Sequence, residues 1–242
     1  MLRRLPPVVL NLLVINALFF VADWAFRNMG YDLGNILGLH YFMADEFRPY
    51  QVITSMFMHA GFTHFFFNMF ALYMFGTVLE HRMNSKRFLI FYLLCGLGAT
   101  LLHAGVQAFE IHNILGQFTA DVEITAREAG RATGHVLNPG LSREESQTIF
   151  GIFAGSAVGA SGALYGLLVA FGMFYPNEEL MLIFLPIPIK AKIFIPLLIF
   201  ADFYLGIKSY SWDPIAHYAH LGGALFGFLL IKYWFKRIEF RF

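Results

Sequence analysis

With one cysteine, Cys95, in 242 residues, the chain cannot close an intrachain disulfide. Cys95 lies in an apolar run beside Gly96, where a small packing residue is expected rather than a reactive thiol. Charge is scarce too: 14% of residues are Asp, Glu, Lys or Arg, against roughly 25% in soluble domains. A net charge of +1 leaves no electrostatic argument for nucleic acid. There is no His-Glu-x-x-His run, and along the chain the histidines lack paired carboxylates at ligand spacing. No metal, no cofactor and no metalloprotease chemistry are therefore expected. Nor is there an inverted internal repeat of the kind that marks transporters.

What the chain has instead is apolar surface. Hydrophobic residues make up 58% of it, 29 of them phenylalanine, and the mean hydropathy is +0.60. The apolar runs are continuous rather than alternating, which disfavours a β-barrel. The expected fold class is an all-α membrane protein. Six segments approach the roughly 20 apolar residues a spanning helix needs: 8–26, 54–78, 87–107, 149–173, 191–208 and 217–235. Arg3 and Arg4 ahead of the first run resemble a leader, but the long core without a convincing cleavage site reads as a retained helix.

Basic residues orient the bundle. Arg3, Arg4, Arg82, Lys86, Arg87, Lys190, Lys192, Lys232, Lys236, Arg237 and Arg241 fall on one side, and Arg27, Arg48, Arg127, Arg131, Arg143 and Lys208 on the other. The richer side is expected to be cytoplasmic and to hold both termini. The chain reads as a single membrane domain over 1–242 with a polar extracytoplasmic insertion at about 108–147. Within that insertion Asp121–Arg131 could form a short surface helix. A loop so long is either functional or a solvated excursion.

Polar groups inside such segments are costly and point to function. Ser161 stands in Gly159-Ala160-Ser161-Gly162, and Tyr165 follows four residues later on the same helix face. His220 lies in the last segment with Gly223 and Gly227 on its face. Gly162/Gly166 and Gly223/Gly227 are both small-xxx-small pairs that let helices approach closely. If these faces meet, a histidine can take the serine proton and make it a nucleophile. The competing reading is a packing serine and a buried histidine. His64 and Asn68, four apart in the second segment, are expected at comparable depth and suit donation to an oxyanion. They could equally be an interhelical hydrogen-bond pair. Asp202 in the fifth segment could reach water, cap a neighbour or contact the cavity, and the sequence does not choose. Asp213 before Pro214 reads as a turn residue, and His217 as a residue near the outer membrane surface.

Taken in order, His59, His64 and Asn68, then Gly-x-Ser-Gly at Gly159–Gly162, then Ala219-His220-x-x-Gly223, resemble a rhomboid intramembrane serine protease over about residues 50–235. The resemblance implies a six-helix rhomboid-like bundle. It implies a Ser161–His220 dyad without an aspartate, Tyr165 stacked on the imidazole, and oxyanion roles for His64 and Asn68. His59, Gly159, Gly162 and Gly223 would support the site, and Glu80 would be a structural hydrogen-bond hub. It further implies acyl-enzyme hydrolysis of peptide bonds in or near the transmembrane segments of membrane-protein substrates, with the fifth helix as a lateral gate. The implied location is a bacterial inner membrane, with the site opening to the extracytoplasmic side. The alternative is a non-cleaving rhomboid-like protein that binds membrane segments for quality control. Three features depart from the family pattern. Asn84 stands where Gly is usual, Tyr50-Gln51 where Trp-Arg is common, and the insertion is long. The sequence does not fix oligomeric state or substrate.

Overall fold

The computed structural model describes residues 5–128, 131–182, 185–208 and 215–235. Arg3, Arg4, Asp213, Lys236, Arg237 and Arg241, used above for orientation or a turn, lie outside the described residues. The protein is mostly helical. Among the described residues three helices are long and apolar enough to cross a membrane: Pro7–Arg27, Phe62–Met83 and Ser85–Leu115.

The chain divides into two compact units. The first comprises Met1–Val14, Phe66–Leu102 and Ser161–Phe242, and the second Ile15–Phe65 and His103–Ala160. Helix α1 (Pro7–Arg27) starts on proline, whose missing N–H costs nothing at the first helical position. In the first unit the free N–H groups of Val8 and Val9 donate to the Glu80 carboxylate at 3.0 and 2.8 Å. The Ser85 hydroxyl donates to the same carboxylate at 2.6 Å. Glu80 thus caps α1 from a distance and satisfies donors that would otherwise be orphaned.

Three short elements follow in the second unit: α2 (Leu33–Leu37), α3 (Gln51–Thr54) and a 3₁₀ turn at Ser55–Phe57. Gln51 holds this segment together. It is buried and binds four backbone groups, donating to Ile36 and Glu46 carbonyls and accepting from His40 and Arg48 N–H groups. The chain is not helical at 58–61. Helix α4 (Phe62–Ala71) then runs through a π turn at Leu72–Gly76 into α5 (Thr77–Met83). The expected helix 54–78 therefore starts later and ends later, and His59 lies in the turn before it. Asn84 adopts φ 64° and ψ 159°, a strained backbone that glycine, the residue usual in the family here, takes far more readily. Its Oδ1 accepts from the Arg87 N–H at 3.2 Å, capping α6 (Ser85–Leu115).

The expected surface helix at Asp121–Arg131 is instead strand β1 (Val122–Glu128), paired antiparallel with β2 (Arg131–Val136). Val122 and Ile124 alternate with Glu123 and Thr125, a period of two rather than 3.6. Val122 and Val136 pack on a buried cluster of Tyr41, Ile111, Ile149, Ile152 and Phe153. Arg127 ties the hairpin down, donating to the Ala154 carbonyl at 2.8 Å and to Glu46 Oε1 at 2.9 Å. The insertion is thus a packed part of the second unit.

The expected helix 149–173 is two helices. A reciprocal Ser142–Glu145 capping box starts α7 (Arg143–Ala154). The chain then runs extended, with Ala157 bridged to Leu39, before α8 (Ser161–Phe174) begins. Two glycines make the break: Gly155 in extended backbone and Gly159 at φ 134°, a conformation L side chains rarely adopt. A second hairpin, β3 (Glu179–Leu182) with β4 (Leu185–Lys190), leads into α9 (Ala191–Lys208). The two hairpins qualify the all-α expectation. Helix α10 (His217–Leu229) ends in a π turn at Leu230–Phe235.

Candidate active site

Small residues bring α6, α8 and α10 together in the first unit. A Cβ placed on Gly223 would overlap the Gly162 carbonyl, and one on Gly227 would press on the Gly166 backbone. Gly162 leaves room for Ala99, and Gly166 for Cys95, which is buried and serves as packing. Backbones this close put side chains of α8 and α10 within hydrogen-bond reach.

Ser161 is the first residue of α8. Its backbone N–H has no intrahelical acceptor and points from the positive end of the helix dipole. Its hydroxyl oxygen lies 2.7 Å from His220 Nε2. The Asp202 carboxylate only accepts, so His220 Nδ1 donates to its Oδ2 at 2.9 Å, which in the neutral ring leaves Nε2 to accept from the Ser161 hydroxyl. The other carboxylate oxygen, Oδ1, is bonded to His217 Nδ1. The Tyr165 ring lies flat on the His220 imidazole, with centroids 4.3 Å apart and planes 10° from parallel. The structure therefore brings Ser161, Tyr165, Asp202, His217 and His220 into one network.

Asp202 changes the expected picture. The resemblance implied a base with no carboxylate behind it, whereas the buried Asp202 side chain occupies that place. His217, expected near the membrane surface, is buried on the same carboxylate. The sequence held one signal for this. Asp202 is the only acid in α9, and His217 and His220 are three apart at the start of α10, on one face. What it could not show is that these faces meet. They do so at Gly206, one turn beyond Asp202, where the Tyr218 hydroxyl donates to the Gly206 carbonyl at 3.2 Å.

Asp202, His217 and His220 also present three ligand-type atoms, all within 4.8 Å of one another. The expectation that no histidine has a carboxylate at ligand spacing holds along the chain but not in space. Both carboxylate oxygens lie within hydrogen-bond reach of imidazole nitrogens.

His59 and His64 belong to the second unit and Asn68 to the first. The His64 Nδ1 accepts from the Ala60 N–H at 3.3 Å, which leaves its proton on Nε2. His59 is buried, edge-on to His64 and Phe65. Asn68 is buried, and its amide nitrogen has no hydrogen-bond partner among the described residues.

The Rhomboid domain family model matches residues 46–237. The chain is 25% identical over 189 residues to "Rhomboid protein 1, mitochondrial" of Saccharomyces cerevisiae, covering 78% of this chain and 43% of that protein. It is 29% identical over 221 residues to "RHOMBOID-like protein 12, mitochondrial" of Arabidopsis thaliana, covering 90% and 55%. Over 91 residues it is 32% identical to "Rhomboid-like protein 11, chloroplastic" of Arabidopsis thaliana, covering 38% and 30%. The chain spans about half the length or less of these relatives. It is an integral membrane protein that belongs to the rhomboid family.

Proposed function

We propose that this protein is an intramembrane serine endopeptidase that cuts membrane-protein substrates in or near their transmembrane segments. The observation that carries this reading is the 2.7 Å contact of the Ser161 hydroxyl with His220 Nε2. A serine hydroxyl becomes an effective nucleophile when such a base removes its proton. In the proposed cycle the proton passes to His220 Nε2 as Ser161 Oγ attacks the scissile carbonyl. The imidazolium then protonates the leaving amine, and water, deprotonated by the same ring, releases the acyl group.

The tetrahedral oxyanion needs preorganised donors. We assign this role to the Ser161 N–H and the Asn68 amide. The Asn68 amide supports the assignment, because a buried donor without a partner carries a desolvation cost that a developing anion would relieve. Gly162 and Gly223 permit the close approach of α8 and α10, and Gly159 makes the turn before α8. No metal or cofactor takes part in this reading.

The proposed topology is one membrane domain of six spans with both termini cytoplasmic and the site opening to the extracytoplasmic side of a bacterial inner membrane. The asymmetry of Lys and Arg supports the orientation. Ser161→Ala in purified, folded protein should abolish cleavage of a model transmembrane substrate. Cleavage retained by that variant would remove Ser161 as nucleophile. A wild type that binds the substrate without cutting it would favour the non-cleaving alternative.

A further inference from the structure

We propose that Asp202 is the positioning residue of the catalytic base, clamped between His217 and His220, so that the serine and histidine work with a buried carboxylate behind them. The inference rests on the protease reading above. Three observations carry it. Asp202 Oδ2 accepts from His220 Nδ1 at 2.9 Å, on the ring edge opposite the Ser161 contact. The second oxygen is held by His217, which fixes the carboxylate in one rotamer. The carboxylate is buried within the uncharged stretches of α9 that lie between Lys192 and Lys208, a placement that needs compensating partners.

The chemistry follows from the tautomer. His220 can take the serine proton only on an unprotonated Nε2, so Nδ1 must hold the ring's own proton. A carboxylate facing Nδ1 enforces that state, because it only accepts. When the serine proton arrives, the ring becomes imidazolium and the same carboxylate balances its charge. Asp202 itself keeps no proton. Tyr165 fixes the plane of the ring, and Asp202 fixes its rotation within that plane. His217 acts one step further back, by holding Asp202.

Asp202→Asn is the direct test. An amide can donate to Nδ1 and stabilise the wrong tautomer, so kcat should fall about 10²–10⁴-fold with KM nearly unchanged. His217→Gln leaves the Asp202–His220 contact in place and should lower kcat less. Chelator should not alter wild-type turnover. A kcat for Asp202→Asn within about twofold of wild type, or turnover that depends on a chelatable ion, would overturn the proposal.

A second measurement needs no variant at Asp202. In ¹⁵N-histidine-labelled wild type, with His220 assigned by its loss in His220→Ala, the ring should be the Nδ1–H tautomer. A Nε2–H ring at His220 would overturn the positioning role even if Asp202→Asn fails to fold. Wild-type cleavage separates this inference from the one beneath it. Inactive wild type defeats the protease reading, whereas active wild type with equally active Asp202→Asn defeats only the clamp.

Discussion

At the scale of single residues, the proposed base is held on three sides: Ser161 at Nε2, Asp202 at Nδ1 and Tyr165 on the ring face. A stacked aromatic pair contributes about 0.5–1.5 kcal/mol beyond its buried area. Tyr165→Ala should therefore lower kcat by roughly threefold to tenfold at equal protein level, if that energy is spent on orienting the ring. Tyr165→Phe keeps the face but loses the hydroxyl's hydrogen bond to Asp202, and should fall between wild type and the Ala variant. Equal activity of the Ala variant would reject the stacking role. Ser161, His220 and Tyr165 were legible in the sequence because glycine spacing and helix periodicity report on local faces. Asp202 was legible only as a costly acid in an apolar helix. Its partners come from a different helix, and no spacing rule links α9 to α10.

At the scale of elements, the close approach of α8 and α10 depends on absent side chains. Gly223→Val would force a side chain into the Gly162 carbonyl. Overpacking costs about 1–3 kcal/mol, so the variant should unfold at lower temperature and lose activity together. Thermal unfolding in detergent that matches wild type would contradict the packing. Glu80 gives a separate case. Glu80→Ala strips the cap from two α1 N–H groups and from Ser85. Loss of a buried charged acceptor costs about 1–3 kcal/mol, and faster hydrogen exchange at Val8 and Val9 should report it. The elements misread from the sequence share a cause. Apolarity alone ran 149–173 together, while Gly155, Gly159 and the Leu39–Ala157 bridge divide it. The 121–131 segment carries enough charge to look like a surface helix, yet its alternation and its tether through Arg127 make a strand. The α9 gate implied by the family pattern meets a constraint as well, since Asp202 and Gly206 both bind α10. Any outward swing of this part of α9 would release the base.

At the scale of the whole molecule, membrane residence is evident in composition and in three long apolar helices. Helix α8 is shorter, and α9 carries Lys192, Asp202 and Lys208. The proposed six spans are testable with reporter fusions, which should place Lys190 and the C-terminus on one side and the β1–β2 hairpin on the other. A pH dependence of stability should also come from outside the spans. Burial of His40 holds its imidazole below the usual value of 6.5. Its Nε2–H donates to the Asn35 carbonyl at 2.8 Å, a bond the neutral ring can make. On acidification the unfolded chain takes up this proton first. Stability is therefore full above about pH 6.5 and declines as pH falls from there toward the lowered value. His40→Gln should flatten that slope in thermal unfolding, and an unchanged slope would assign it elsewhere.

Labelling with a fluorophosphonate tests the central claim most directly, because only a serine activated by a neighbouring base reacts readily with it. In detergent-purified, folded protein, wild type should label, and Ser161→Ala and His220→Ala should not. Folded wild type that stays unlabelled, or labelling that survives in Ser161→Ala, would contradict the account.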